Sequence, residues 1–210
     1  MAKSLIAPIF GVFTVLPFAF LAFYSFYSND PSSVFLSFED IVFYASNSFY
    51  LVVFGCLGAL LLGVSTAFLV ARYEFFGSKV FAVLFILPLA LPSYLSGYAY
   101  VWILQKGGFL STLTGDESLY LDILNLYGVS FVFATTLFTY VYLLAKSGFS
   151  SIDADIVGIV KTGGVSFLYS FFRIYLPLVL PSVFVGLSLV AMEILSDYGT
   201  VVYFGRSEER

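Results

Sequence analysis

The sequence has no histidine and a single cysteine, Cys56, in 210 residues. The first absence removes the commonest transition-metal ligand. The second rules out an intrachain disulfide and any chelating group of thiols. Charge is also scarce, with nine Lys and Arg and 13 Asp and Glu amounting to 10% of the chain. With so few basic residues and a pI near 4.6, no nucleic acid partner is expected.

Apolar residues fill the space that charge leaves. The chain is 60% hydrophobic and 20% aromatic, with a mean hydropathy of +1.01. At this length a soluble core could not hide so much apolar surface, whereas a bilayer solvates it directly. The fold class expected is therefore all-α, a polytopic helical membrane protein. Crossing about 30 Å of hydrocarbon takes roughly 20 mostly apolar residues per helix. Five runs qualify: Leu5 to Tyr27, Ser48 to Ala71, Lys79 to Leu104, Leu126 to Ala145 and Ile174 to Ser196. The first is longer than a signal-peptide core and lacks a small-residue cleavage site, so it reads as a retained anchor.

Basic residues set the orientation. With the N-terminus inside, Lys3, Arg72, Lys79, Lys146, Lys161 and Arg173 are cytoplasmic, and Lys106, Arg206 and Arg210 are outside, as the positive-inside rule requires. Asp30, Glu39, Asp40, Asp116, Glu117 and Asp122 then make the outer loops acidic, and the tail from Tyr198 onward is also outside. Two readings of that acidity stand: ordinary loop bias, or carboxylates that receive a partner or concentrate cations.

Prolines interrupt two spans in nearly the same way, as Leu87-Pro88-Leu-Ala-Leu-Pro92 and Leu176-Pro177-Leu-Val-Leu-Pro181. Proline removes a backbone donor, and a bilayer accepts the freed carbonyls only where protein or water satisfies them. Interrupted helices tend to line substrate routes, so Pro88, Pro92 and Tyr94 are candidates for a translocation path. Glu193 and Asp197 join them, because i,i+4 spacing sets both carboxylates on one face of the last span. Counting from Ile174, they fall near the outer interface, where hydrated interfacial acids are the alternative to a pathway role. In the second span, Gly55, Gly58, Ala59, Gly63, Ser65 and Ala67 are spaced to admit a close helix neighbour. The 16 tyrosines, Tyr98 and Tyr100 among them, read as interfacial anchors.

The polar interruption from Lys146 to Arg173 has the composition of a docking surface. A short helix with Ile152, Ile156, Ile159 and Val160 as apolar knobs, ringed by Asp153, Asp155 and Lys161, suits a groove in a soluble partner. Gly163 and Gly164 would turn the chain after it. The alternative for the return segment Phe167 to Tyr175 is an amphipathic stretch resting on lipid headgroups.

These residues resemble the binding-protein-dependent permeases of ABC transporters, the ferric-iron group most closely. The pattern runs from Gly164 through Arg173, Ile174, Leu176 and Pro177, and includes the strings Leu87 to Tyr94 and Glu193 to Thr200. The resemblance implies a single permease domain over 1–210 with an ATPase-coupling loop at about 146–173 that includes Asp155, Gly158, Gly163, Gly164, Arg173, Leu176 and Pro177. It implies as partners a cytoplasmic ATPase dimer, a second permease half or subunit, a periplasmic or extracellular substrate-binding protein and membrane lipid, in a bacterial inner membrane. No cofactor or metal is expected on this chain. ATP would sit on the partner, since the sequence has no Gly-rich phosphate loop of the P-loop kind.

Two features depart from the pattern. The family's Glu-Ala-Ala triplet is replaced by Gly158-Ile-Val160, with Asp153 and Asp155 upstream. The chain also stops after five spans where such permeases are often two fused halves of six, so it reads as an N-terminal half or fragment. Ferric iron is the first substrate expected, with polyamine, thiamine or sulfate as alternatives. Two other functions are weighed: a membrane hydrolase using Glu193 and Asp197, and a truncated, non-transporting membrane fragment or scaffold.

Overall fold

The computed structural model describes residues 15–20, 23, 37–116, 118 and 120–205. The expected first span, Lys3, Asp30, Glu117, Arg206, Arg210 and the side chain of Lys161 lie outside these, apart from helical residues 15–20 and 23. The chain divides into two compact units, Met1–Ile41 and Val42–Arg210. Among the described residues the secondary structure is helical, with no strand.

Helix α1 (Phe38–Arg72) leads to α2 (Ser78–Leu84), a 3-10 turn (Leu87–Ala90), α3 (Ser93–Leu104) and the short α4 (Phe109–Thr114). The long α5 (Leu126–Ser150) follows, then α6 (Ala154–Thr162) and α7 (Phe167–Ser170). A π-helical segment (Phe171–Tyr175) joins α7 to α8 (Leu176–Ser196), and α9 (Tyr198–Gly205) comes last. Three stretches are long and apolar enough to cross a membrane, Phe38–Arg72, Leu126–Ser150 and Phe167–Ser196, and a bent pair built on Ser78–Ala90 and Ser93–Thr114 adds a fourth. Two corrections to the expected boundaries follow. The second span begins at Phe38 rather than Ser48, and the last is continuous helix from Phe167 rather than Ile174.

At the centre stands α5, whose Val132, Phe133, Val141, Tyr142, Ala145 and Phe149 are fully buried. Neighbours reach it through missing side chains. A Cβ on Gly186 of α8 would lie 2.8 Å from the Val141 Cα, and one on Gly63 of α1 would lie 2.6 Å from the Val141 Cβ. Gly58 meets Ala134, and Gly55 meets Ile194 of α8 at 2.6 Å. The expected small-residue seam is thus a packing surface, as small residues in membrane helices allow. Ser65 is the exception, facing away and exposed.

The third span breaks where its prolines fall. Its two halves meet at 102°, yet its contacts along α5 advance in one antiparallel direction, with a slip across the break. Ala82 meets Tyr142, Phe85 meets Thr139, and Tyr100 meets Phe131. The segment therefore crosses beside α5 as a broken span rather than turning back. Breaking the helix frees carbonyls, and α5 fills two of them. Thr139 Oγ1 donates to the Phe85 carbonyl at 3.0 Å and the Tyr142 hydroxyl to that of Ala82 at 3.1 Å.

At the end of the bundle that carries Arg72, Lys146 and Arg173, Phe68 gathers the rings of Phe171 (4.9 Å), Phe149 (5.2 Å), Tyr175 (5.6 Å) and Phe167 (5.9 Å). Edge-to-face pairs of this kind each add about 0.5–1.5 kcal/mol beyond area burial. They clamp the return segment onto α1 and α5. The Arg72 guanidinium lies 5.3 Å above the Tyr175 ring, a cation–π contact that closes the same corner.

If the seam is set by backbone approach, Gly186→Val forces α8 off α5 and lowers stability by about 1–3 kcal/mol. Gly158→Ala, inside α6 where a Cβ meets nothing within 4 Å, raises it by up to about 0.5–1 kcal/mol, since Ala is the better helix former. Thermal unfolding of the two variants in detergent checks the contrast.

Candidate functional site

The break in the third span opens a cavity of about 650 Å³, walled by Leu89 to Tyr94 on one side and by α5 and the end of α8 on the other. Of the five path candidates, four line it: Pro92, Tyr94, Glu193 and Asp197. Pro88 sits in the 3-10 turn and does not.

The two acids have different positions and partners. Glu193 lies within α8 and accepts a hydrogen bond from the Tyr140 hydroxyl at 2.9 Å. Asp197 has left the helix at ψ 90°. Its carboxylate accepts from the Thr200 backbone N–H at 2.8 Å and the Thr200 hydroxyl at 2.9 Å, capping α9. The expected shared helical face is therefore corrected: i,i+4 spacing fails once the helix ends between the two residues. Where a tail was expected from Tyr198, α9 folds back instead. Phe204 fills the space over Gly97, and Tyr203 meets Tyr98 at 3.9 Å.

Glu193 is exposed and lies three residues, about 4.5 Å at 1.5 Å per residue, before the end of α8 at Ser196, while its partner Tyr140 sits about 21 Å along α5 from Leu126. Sequence reasoning also missed Tyr140 and Thr136. The signal was there, as hydroxyls at Thr136, Thr139 and Tyr140 recur at helical spacing through an apolar span.

The loop after α5 forms a second feature. Helix α6 is present, with Asp153 as its N-cap accepting from the Asp155 N–H at 3.3 Å. The expected knobs divide: Ile152 and Val160 pack on the core, Ile156 is half-buried, and Ile159 alone projects, 70% exposed. The free face reads Asp155, Gly158, Ile159 and Thr162, one stripe at i, i+3, i+4 and i+7. Of the two glycines, only Gly164 adopts a left-handed conformation, φ +60°, while Gly163 caps the helix at φ −73°. Arg173 is exposed on the π-helical segment, Leu176 packs against the core, and exposed Pro177 stands just past that segment inside the continuous helix, where it removes one backbone donor. The interruption is shorter than expected, since α5 runs on to Ser150 and helix resumes at Phe167.

A family model described as the inner membrane component of binding-protein-dependent transport systems matches residues 59–208, from α1 past the end of α9. The chain belongs to this family. It is thus a membrane permease component, a transport protein rather than an enzyme. Among its relatives is the putative molybdenum transport system permease YvgM of Bacillus subtilis, 28% identical over 75% of this chain and 69% of that protein. The Fe(3+)-transport system permease FbpB 2 of Haemophilus influenzae is 28% identical over 74% of this chain, but the match spans only 28% of that protein. The molybdenum permease ModB of the same organism is 30% identical over 70% of this chain and 65% of that protein. The break cavity and the α6 loop both fall inside the matched region of the permease.

If Asp197 serves chiefly as a cap, Asp197→Ala lowers stability by about 0.5–2 kcal/mol and Asp197→Asn by far less, since Asn caps nearly as well. Melting temperatures of the two variants test this. Equal losses would assign the effect to the charge.

Proposed function

We propose that this chain is the permease subunit of an ATP-driven, binding-protein-dependent importer in a bacterial inner membrane, with its N-terminus cytoplasmic. The observation that carries the reading is α6, a helix held at the basic end of the bundle with an open stripe of Asp155, Gly158, Ile159 and Thr162. An amphipathic helix backed by a packed core and bare on its outer face suits a groove in a soluble partner. In this reading that partner is a cytoplasmic ATPase dimer that binds ATP. Nucleotide-driven closure of the dimer moves α6, and the Phe68 ring cluster passes the motion to α1, α5 and α8. A second permease half or subunit completes the route, and a binding protein delivers solute to the acidic face.

Ferric iron is the proposed substrate. The strings Leu87 to Tyr94 and Glu193 to Thr200, which carry the resemblance to ferric-iron permeases, lie side by side around one cavity, and FbpB 2 is among the relatives. Molybdate is the second reading, favoured by the relatives YvgM and ModB.

In a complex reconstituted with its ATPase and binding protein, Gly164→Lys abolishes substrate-stimulated ATP hydrolysis while membrane insertion is retained. At φ +60° any side chain costs about 1–2 kcal/mol and swings α6 out of register. Full stimulation in that variant counts against the coupling role.

A further inference from the structure

Resting on the reading of this chain as a permease, we infer that the cavity at the helix break is a transit site for a hard, multiply charged metal cation and not for an oxyanion. The polar groups that face it are oxygens, set in a partly apolar wall. Glu193 offers a carboxylate, one of whose oxygens is held by Tyr140. Thr136 is 2% exposed and lines the cavity, yet its hydroxyl has no hydrogen-bond partner among the described residues. Among the described residues the sealed side-chain polar atoms without a partner are Arg72 Nε and Nη2, so the Thr136 oxygen opens onto the cavity and is available to whatever fills it. The break supplies more. Pro92 has no N–H to donate, and the carbonyls of Leu89, Ala90 and Leu91 accept no hydrogen bond among the described residues. Open carbonyls at the C-terminal end of a broken helix, beside a carboxylate, form the kind of site that takes cations in membrane transporters.

Charge decides between cation and anion. The 3-10 turn ends at the cavity with its carbonyls and α3 begins there with its N–H groups, so their helix-end charges, at most about half a unit each and of opposite sign, cancel. The N-terminus of α9 is occupied by Asp197. The lining holds two carboxyl groups, Glu193 and the capping Asp197, and no Lys or Arg. Molybdate or sulfate would meet repulsion there. Among the described residues no group of three or more acidic, Cys or His side chains is placed to chelate a metal. Glu193, with Asp197 tied up in its cap, gives together with hydroxyls and carbonyls a hard oxygen ligation weak enough for release, as passage demands.

The test uses the full chain in nanodiscs of neutral lipid and Tb³⁺, a trivalent oxygen-seeking ion whose emission is sensitised by nearby tyrosine. Wild-type protein gives sensitised emission that Fe³⁺ displaces and molybdate does not. Glu193→Gln weakens Tb³⁺ binding by about tenfold or more, and Thr136→Val, which keeps the side-chain volume, by about threefold. Unchanged Tb³⁺ affinity in Glu193→Gln, or competition by molybdate, overturns the inference. If Glu193→Gln fails to insert, unchanged affinity in Thr136→Val does the same. No ATPase is present, so this outcome is independent of whether Gly164→Lys uncouples the complex.

Discussion

A helix that breaks inside hydrocarbon exposes carbonyls that neither lipid nor its own backbone can satisfy, and two hydroxyls of α5 carry that burden here. Thr139 and Tyr142 reach the carbonyls of Phe85 and Ala82, anchoring the near side of the break to the most buried helix of the bundle. Each such bond adds only about 1 kcal/mol net, but leaving the carbonyl empty would cost about 1–3 kcal/mol. The far side is fixed by packing, with Gly97 against Phe204 and Tyr100 against Phe131. Between these fastenings lie the end of the 3-10 turn and the extended Leu91. The cavity is a consequence of where the fastenings stop.

The same helix positions the carboxylate. Gly63 and Gly186 bring α1 and α8 onto Val141 from two sides, which fixes the register of α8 along α5. That register places Glu193 within reach of Tyr140. The acid is therefore held in place by backbone approach and one hydrogen bond, across the cavity from the open carbonyls of the break. At the basic end the Phe68 cluster ties the segment after α6 to α1 and α5, so a load on the loop is delivered to the helices that wall the cavity. Loop and cavity are linked through packed elements rather than through a flexible tether.

Much of this was legible in the sequence. Composition alone gives the class, the Leu-Pro strings mark the break, and the small residues of α1 mark its packing face. The short helix after α5 is readable from its apolar spacing and its glycine exit. Two things were not readable, each for a physical reason. Helical periodicity places Glu193 and Asp197 together only while the helix continues, and Asp197 ends it by capping α9. Which of Ile152, Ile156, Ile159 and Val160 faces outward depends on how α6 lies against the core, which spacing alone leaves open.

Water access at the break tests the account most directly. Ala90→Cys in a Cys56→Ser background, exposed to a membrane-impermeant thiol reagent in sealed vesicles, reports whether the 3-10 turn faces an aqueous route. Leu61→Cys, at similar depth on the exposed face of α1, serves as the reference. The account predicts rapid labelling at position 90 and none at position 61. Equal protection of both would mean that the break is a packing feature within a dry bundle and that no path runs through it.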